Sequence, residues 1–241
     1  MAPVPDEPNP YLANPRWVVA ELVADAARRR HPADILAIGV HGSLAHGDDT
    51  DTSDVDLVVV TYRQGAGPRP VTRRVDGVLV DLGVVGAEEY LRHARTLTTS
   101  WPLAADRYVT TKPIHDPDAW LERLRDVHLG RLAEARTAEF TALAREAWCR
   151  GASAHARATR LAAWYETDTA LLMLAEARLA AATVTGLLTR TYFRNGADAV
   201  RRTGVASADL SELGIILRDQ AKDLADRGRP VDGTVSDLFD R

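Results

Sequence analysis

The stretch HGSLAHGDDTDTSDVDLVVV, His41–Val60, decides how the rest of the chain is read. It sets a Gly-Ser pair at the end of one apolar run and plants Asp54 and Asp56 at the mouth of another, VDLVVVT (55–61). A carboxylate in an apolar strand is costly unless a metal or another cation matches it. Strand residues two apart share a face. Asp54 and Asp56 therefore point one way, and Val55 and Leu57 the other. A third acid, Asp81, interrupts VLVDLGVV (78–85) in the same manner. If these two strands are neighbours, the three carboxylates converge. Hard oxygen donors on rigid strands suit Mg2+, which keeps positions open for phosphate and water.

Gly42-Ser43 follows ILAIGV (35–40), a short apolar run read as a buried strand. A glycine there lets the backbone approach a ligand closely. A short helix starting there offers N–H groups, with the Ser43 hydroxyl, to phosphate oxygens. Each residue also has a plainer reading. Ser43 suits a helix cap, Asp54 and Asp56 suit a solvated strand start, and Asp81 suits a turn before Gly83. Asp48, Asp49 and Asp51 read as a solvated loop, or as an attractor for a cationic substrate. His41 reads as structural.

Working outward, 15–30 has helical spacing, with Pro15 near its start and arginines at its end. Residues 64–70 form a loop by composition, 86–97 a helix, and 107–116 holds one more strand. From 117 to 190 the chain is rich in Ala, Leu, Arg and Glu, all good helix formers, and a further helix spans 207–227. The expected class is α+β. A flexible Pro-rich arm (1–14) leads into a sheet-bearing domain (15–116), an all-helical domain (117–228) and a tail (229–241).

The bulk numbers set limits. The 241 residues are 46% hydrophobic, enough for a sizeable core. A net charge of −4 argues against a nucleic-acid partner and suits cationic small molecules. The single cysteine, Cys149, excludes an intramolecular disulfide and a Cys-rich zinc cluster, and suits a reducing cytoplasm. Cys149 reads as a small buried residue, and Trp148, Trp164 and Tyr165 as core. The first residues lack the apolar centre of a signal peptide. No run approaches the roughly 18 uninterrupted apolar residues of a membrane span.

Gly-Ser, ten residues, then D-x-D, with a later acid on a neighbouring strand, resembles the signature of the DNA polymerase beta-like nucleotidyltransferase superfamily. AIGVHGSLAHGDDTDTSDVDL (37–57) and SWPLAADRYVTTKPIHDPDAWLERL (100–124) resemble one branch more closely, the kanamycin (aminoglycoside) nucleotidyltransferases. GLLTRTYFRN (186–195) is a weaker echo. The resemblance is specific over roughly 35–124.

The resemblance implies a mixed sheet carrying the metal site, a helical C-terminal domain, and a homodimer with active sites near the subunit interface. It implies transfer of a nucleoside monophosphate from ATP or another nucleoside triphosphate to a hydroxyl, with two Mg2+ held by Asp54, Asp56 and Asp81. Gly42, Ser43 and His46 fall at the triphosphate, with His46 standing where the branch carries arginine. An acid on a C-terminal helix serves as general base, with a basic residue one turn on. Glu146 and Arg150 have that spacing, with arginine where the family commonly has lysine. The same pair reads equally as a solvated helix-surface salt bridge, and Glu139 and Glu166 are rival bases.

The expected acceptor is a small hydroxylated, cationic molecule such as an aminoglycoside. Another natural product or metabolite is the alternative acceptor. A nucleotidyltransferase-type antitoxin bound to a helical toxin is the alternative of a different class.

Overall fold

A computed structural model of the protein describes residues 14–236. Of the expected arm only Asn14 falls inside it, and the expected tail is described only as far as 236. The chain divides into two compact units. The first runs to Thr96 and resumes over Arg107–Arg131; the second takes Leu97–Asp106 and everything from Leu132 onward.

Among the described residues the first unit holds a five-stranded sheet in the order β3-β4-β2-β1-β5. Its strands are β1 (Ile35–His41), β2 (Val55–Thr61), β3 (Val71–Val75), β4 (Val78–Gly86) and β5 (Lys112–His115). β2 and β4 are parallel and the other pairs antiparallel, so the sheet is mixed. With the helical second unit, the class is α+β, as the sequence predicts.

Period-two alternation in β2 divides the core. Val55, Leu57 and Val59 pack on one face with Trp17, Val19 and Ala20 of α1 (Pro15–Arg30) and Leu44 of α2 (Gly42–His46). Val58 and Val60 pack on the other with Tyr90 and Ala94 of α3 (Ala87–Arg95). Tyr108 of α5 (Asp106–Thr110) and Trp120, Leu121 and Leu124 of α6 (Trp120–Glu134) complete that layer. By the same alternation Asp54 and Asp56 belong to the second face, at the end where its apolar filling stops.

Helix α1 forms where the sequence places it. The Asn14 side chain accepts from the Arg16 N–H, Pro15 opens the helix, and Arg28, Arg29 and Arg30 sit against its C-terminal dipole. Two segments differ from expectation. Residues 106–110 are helical, so the predicted strand shrinks to Lys112–His115. β3 is an addition to the expected strands, because VTRRV has no apolar run. It pairs with β4 through Asp76-Gly77, whose φ values of 48° and 83° are both positive, the geometry of a two-residue type I′ hairpin turn.

The second unit is built on the α7 (Thr137–Ala163) and α8 (Thr167–Thr189) pair, with α10 (Leu210–Asp226) packed on both and short α4 (Trp101–Ala104) and α9 (Gly196–Arg202). α10 falls within the predicted 207–227 and opens with an Asp209/Glu212 capping box. Small residues line the seam: Ala154, Ala158, Ala177 and Ala181 are buried, and a Cβ on Gly151 would stand 3.1 Å from that of Ala180.

α8 is the one helix, among the described residues, long and apolar enough to cross a membrane, with a mean hydropathy of 1.6 in its best window. Its Leu174, Ala177, Ala181 and Leu187 are buried inside the helical unit.

Three residues expected inside lie outside: Cys149 is exposed, Trp164 is 63% exposed and Tyr165 93%. The two aromatics lie just past the end of α7, in its short link to α8. Trp148 is half-buried and donates its Nε1–H to the Leu217 carbonyl at 2.8 Å.

Candidate active site

Strand pairing fixes the acids before any side chain is considered. In the parallel β2–β4 register Asp56 faces Asp81, and in the antiparallel β1–β2 register Asp56 faces His41. Asp54 lies two residues before Asp56. Both are half-buried, and Asp81 is exposed on its strand. Burial, then the charge of Asp54, then that of Asp81, pushes the Asp56 carboxyl up from 3.8 to about 6. Asp54 and Asp81 are thus each near enough to act on the Asp56 carboxyl.

Gly42 explains how Asp56 fits. Its φ is +70°, a conformation side chains resist, and a Cβ there would collide with Asp56 Oδ2. The group this glycine admits is the Asp56 carboxylate, in place of the ligand backbone contact expected from sequence. β1 then passes directly into α2, whose N-cap is His41 and whose end is Gly47 at φ +75°. Ser43 sits inside the first turn, so it is not the cap. His46 is the last helical residue and is half-buried.

The loop from α2 to β2 is anchored at its acids and its backbone. Asn14 Nδ2 donates to Asp49 Oδ2 at 2.9 Å, with Arg16 Nη1 at 4.0 Å from the same oxygen. The Asp49 side chain is only 9% exposed, so it is a buried anchor, contrary to the expected solvated loop residue. Arg16 Nε donates to the Ser53 carbonyl at 2.9 Å, and Ser53 Oγ accepts from the Thr50 N–H at 2.9 Å. These contacts tie the residues just before Asp54 to α1. Asp48 and Asp51 are exposed, as expected.

A cleft of about 520 Å³ opens on the same face of the sheet. Its lining includes His41, Asp81 and Gly83 from the strands, Glu89 and His93 from α3, and Arg107 and Tyr108 from α5. Gln64 also lines it and accepts the Gly86 N–H at 2.8 Å. The size is that of a small-ligand pocket. Arg107, His93 and Thr72 were not singled out from the sequence. Thr72 lies across from Asp81 in the β3–β4 register and donates Oγ1–H to Asp81 Oδ1 at 2.8 Å.

Among the described residues no three His, Cys, Asp or Glu side chains are drawn together as a metal-ligand cluster. The donor set still fits a hard divalent cation. It consists of carboxylate oxygens on or just before neighbouring strands, with Asp56 raised first by burial and then by the charges of Asp54 and Asp81, and a bound cation offsets both.

The helical candidates belong to the second unit. Glu146 and Arg150 are both exposed on α7, and no ion pair joins them among the described residues. Arg150 instead lines a cavity of about 190 Å³ with Leu103, Glu176, Leu179 and Thr183. Glu139 is engaged in capping α7, its Oε1 accepting the Arg136 N–H at 3.0 Å. Glu166 is the exposed N-cap residue of α8.

No curated protein matches the chain in sequence. A nucleotidyltransferase-like protein from Exiguobacterium sibiricum 255-15 is similar in structure, at 15% identity and a TM-score of 0.45 over 87% of this chain and 74% of that one. This likeness carries no conclusion about activity. Residues 21–102 match the family of nucleotidyltransferase domains. That span holds Gly42, Ser43, His46, Asp54, Asp56 and Asp81 and stops short of Glu146 and Arg150, so it supports a transferase acting on nucleotides in general.

Proposed function

We propose that the protein moves a nucleoside monophosphate from a nucleoside triphosphate, ATP in the first instance, to a hydroxyl of a small molecule, releasing pyrophosphate. One observation carries this reading: Asp56 and Asp81 pair across parallel strands, with Asp54 near enough to act on the same carboxyl. Two Mg2+ held by Asp54, Asp56 and Asp81 would neutralise the triphosphate and lower the pKa of the attacking hydroxyl.

The chain's own residues supply rigidity and charge. Gly42 gives Asp56 its space, and the Asn14, Arg16 and Asp49 contacts hold the loop that presents Asp54. Backbone N–H groups at Gly42-Ser43, with His46 in the place the related branch gives to arginine, face the triphosphate in this reading. Arg107 adds a cation to the cleft wall. The resemblance assigns the acceptor's proton to an acid on a C-terminal helix, for which Glu146 of α7 is the candidate, with Arg150 one turn on.

The acceptor is read as a cationic, polyhydroxylated molecule, an aminoglycoside being the leading class and transfer to it inactivating the antibiotic. The net charge of −4 and the exposed Asp48 and Asp51 support a cationic substrate. A hydroxyl of another natural product or metabolite is compatible with the same triphosphate site. The homodimer implied by the resemblance and the reducing cytoplasm that suits a single cysteine belong to the same reading.

The test is label transfer. The full chain is incubated with Mg2+, α-labelled nucleoside triphosphates and a panel of aminoglycosides, lincosamides and sugars. A labelled acceptor formed with wild type and lost in Asp56→Asn supports the proposal. Failure to label any acceptor with any nucleotide contradicts it.

A further inference from the structure

Asp81 is the most exposed of the three acids, and nothing in β4 itself fixes its side chain. An unrestrained carboxylate loses rotamer entropy on binding a cation. β3 supplies the restraint. Its two-residue Asp76-Gly77 turn joins Val75 to Val78 as partners, and counting back along both strands pairs Thr72 with Asp81. A slip of one residue would turn Thr72 to the opposite face. Thr72 Oγ1–H reaches Asp81 Oδ1 at 2.8 Å, a full-strength hydrogen bond to a charged acceptor. Asp81 Oδ2 has no hydrogen-bond partner among the described residues. The bond therefore fixes the carboxylate by one oxygen and leaves the other available.

We infer that Thr72 is a positioning residue for the metal site, holding Asp81 by one oxygen so that the other is presented to a divalent cation. The inference rests on the metal-dependent reading of Asp54, Asp56 and Asp81. It also gives the β3 hairpin a purpose beyond covering a sheet edge. Three of the five β3 residues, Thr72, Arg73 and Arg74, are polar, and the strand contributes little to the core. Outer partners of this kind typically change metal affinity by about 10- to 100-fold when removed.

The experiment measures Mn2+ binding to the full chain by electron paramagnetic resonance of the free ion, with no nucleotide present. Wild type, Thr72→Val, Thr72→Ser and Asp81→Asn are compared, and a thermal unfolding curve of each without metal shows that each folds. Valine keeps the shape and β-branching of threonine and removes the hydroxyl; serine keeps the hydroxyl. The expected result is about tenfold weaker Mn2+ binding in Thr72→Val and affinity within about twofold of wild type in Thr72→Ser. Mn2+ affinity in Thr72→Val equal to wild type, or Thr72→Ser as weak as Thr72→Val, overturns the inference while the metal reading stands. Wild type that binds no Mn2+, or binds it no better than Asp81→Asn, overturns the metal reading and this inference with it.

Discussion

Asp56→Asn separates the cost of the site from its use. The Asp56 carboxyl stands at about 6 in the folded protein against 3.8 for a free aspartate. Because the folded-state value is raised, its contribution is fully present below about 3.8 and is lost as pH rises through about 6. At pH 7.5 the ionised group therefore works against folding. The rise from 3.8 to about 6 corresponds to about 3 kcal/mol, and solvent screening of a half-buried group reduces this to about 1–2 kcal/mol. Asparagine keeps the shape and removes the charge.

In metal-free buffer at pH 7.5, Asp56→Asn should raise the unfolding temperature of the first unit by about 3–8 °C. At pH 4 the difference should nearly vanish, because wild type is then protonated in the folded state. Mg2+ with a non-hydrolysable triphosphate should reverse the order, stabilising wild type and not the variant. Scanning calorimetry with chelator, with Mg-nucleotide, and at both pH values gives all three comparisons. A metal-free variant less stable than wild type at pH 7.5, or equally stabilised at pH 4, would refute the argument.

Gly42→Ala should destabilise the first unit by about 1–3 kcal/mol, from the positive φ and the collision with Asp56, and should abolish transfer; denaturant melts and the label assay check both. His128 is buried, its Nδ1 is 2.8 Å from the Ala94 carbonyl, and burial lowers its pKa. Wild type should lose stability as pH falls below 6.5, the unfolded-state value, and His128→Leu should flatten that slope in melts between pH 5 and 7.5. Cys149 is exposed, so one thiol equivalent should react with a disulfide reagent in the native protein; a reaction seen only in denaturant would contradict its placement.

The central strands were legible because their signals are strong. ILAIGV and VDLVVVT are apolar runs flanked by turn residues, and the spacing of Asp54 and Asp56 needs only the strand's twofold period. That Asp81 would lie opposite Asp56 was conditional on strand order, which local sequence does not specify. β3 buries almost nothing and so carries no hydrophobic pattern in the sequence. Its signal was the Asp-Gly pair in RRVDGVLV, the strongest short hairpin cue.

Residues 106–110 have β-branched residues, yet the chain turns there as a helix that carries Tyr108 into the core, a tertiary demand outweighing local propensity. Asp49 read as solvated because its partners, Asn14 and Arg16, lie more than 30 residues away. Trp164 and Tyr165 read as core from their chemistry alone; their exposure follows from the place where α7 ends. Glu146 and Arg150 have the spacing of a helix-surface pair, but spacing alone did not bring them together.

The most direct measurement is a crystal structure of the full chain with Mn2+ and a non-hydrolysable ATP analogue, read by anomalous scattering. Manganese peaks are expected within coordination distance of Asp54, Asp56 and Asp81, with the triphosphate against Gly42-Ser43. Manganese bound elsewhere, or a nucleotide seated away from these three carboxylates, would contradict the proposed site.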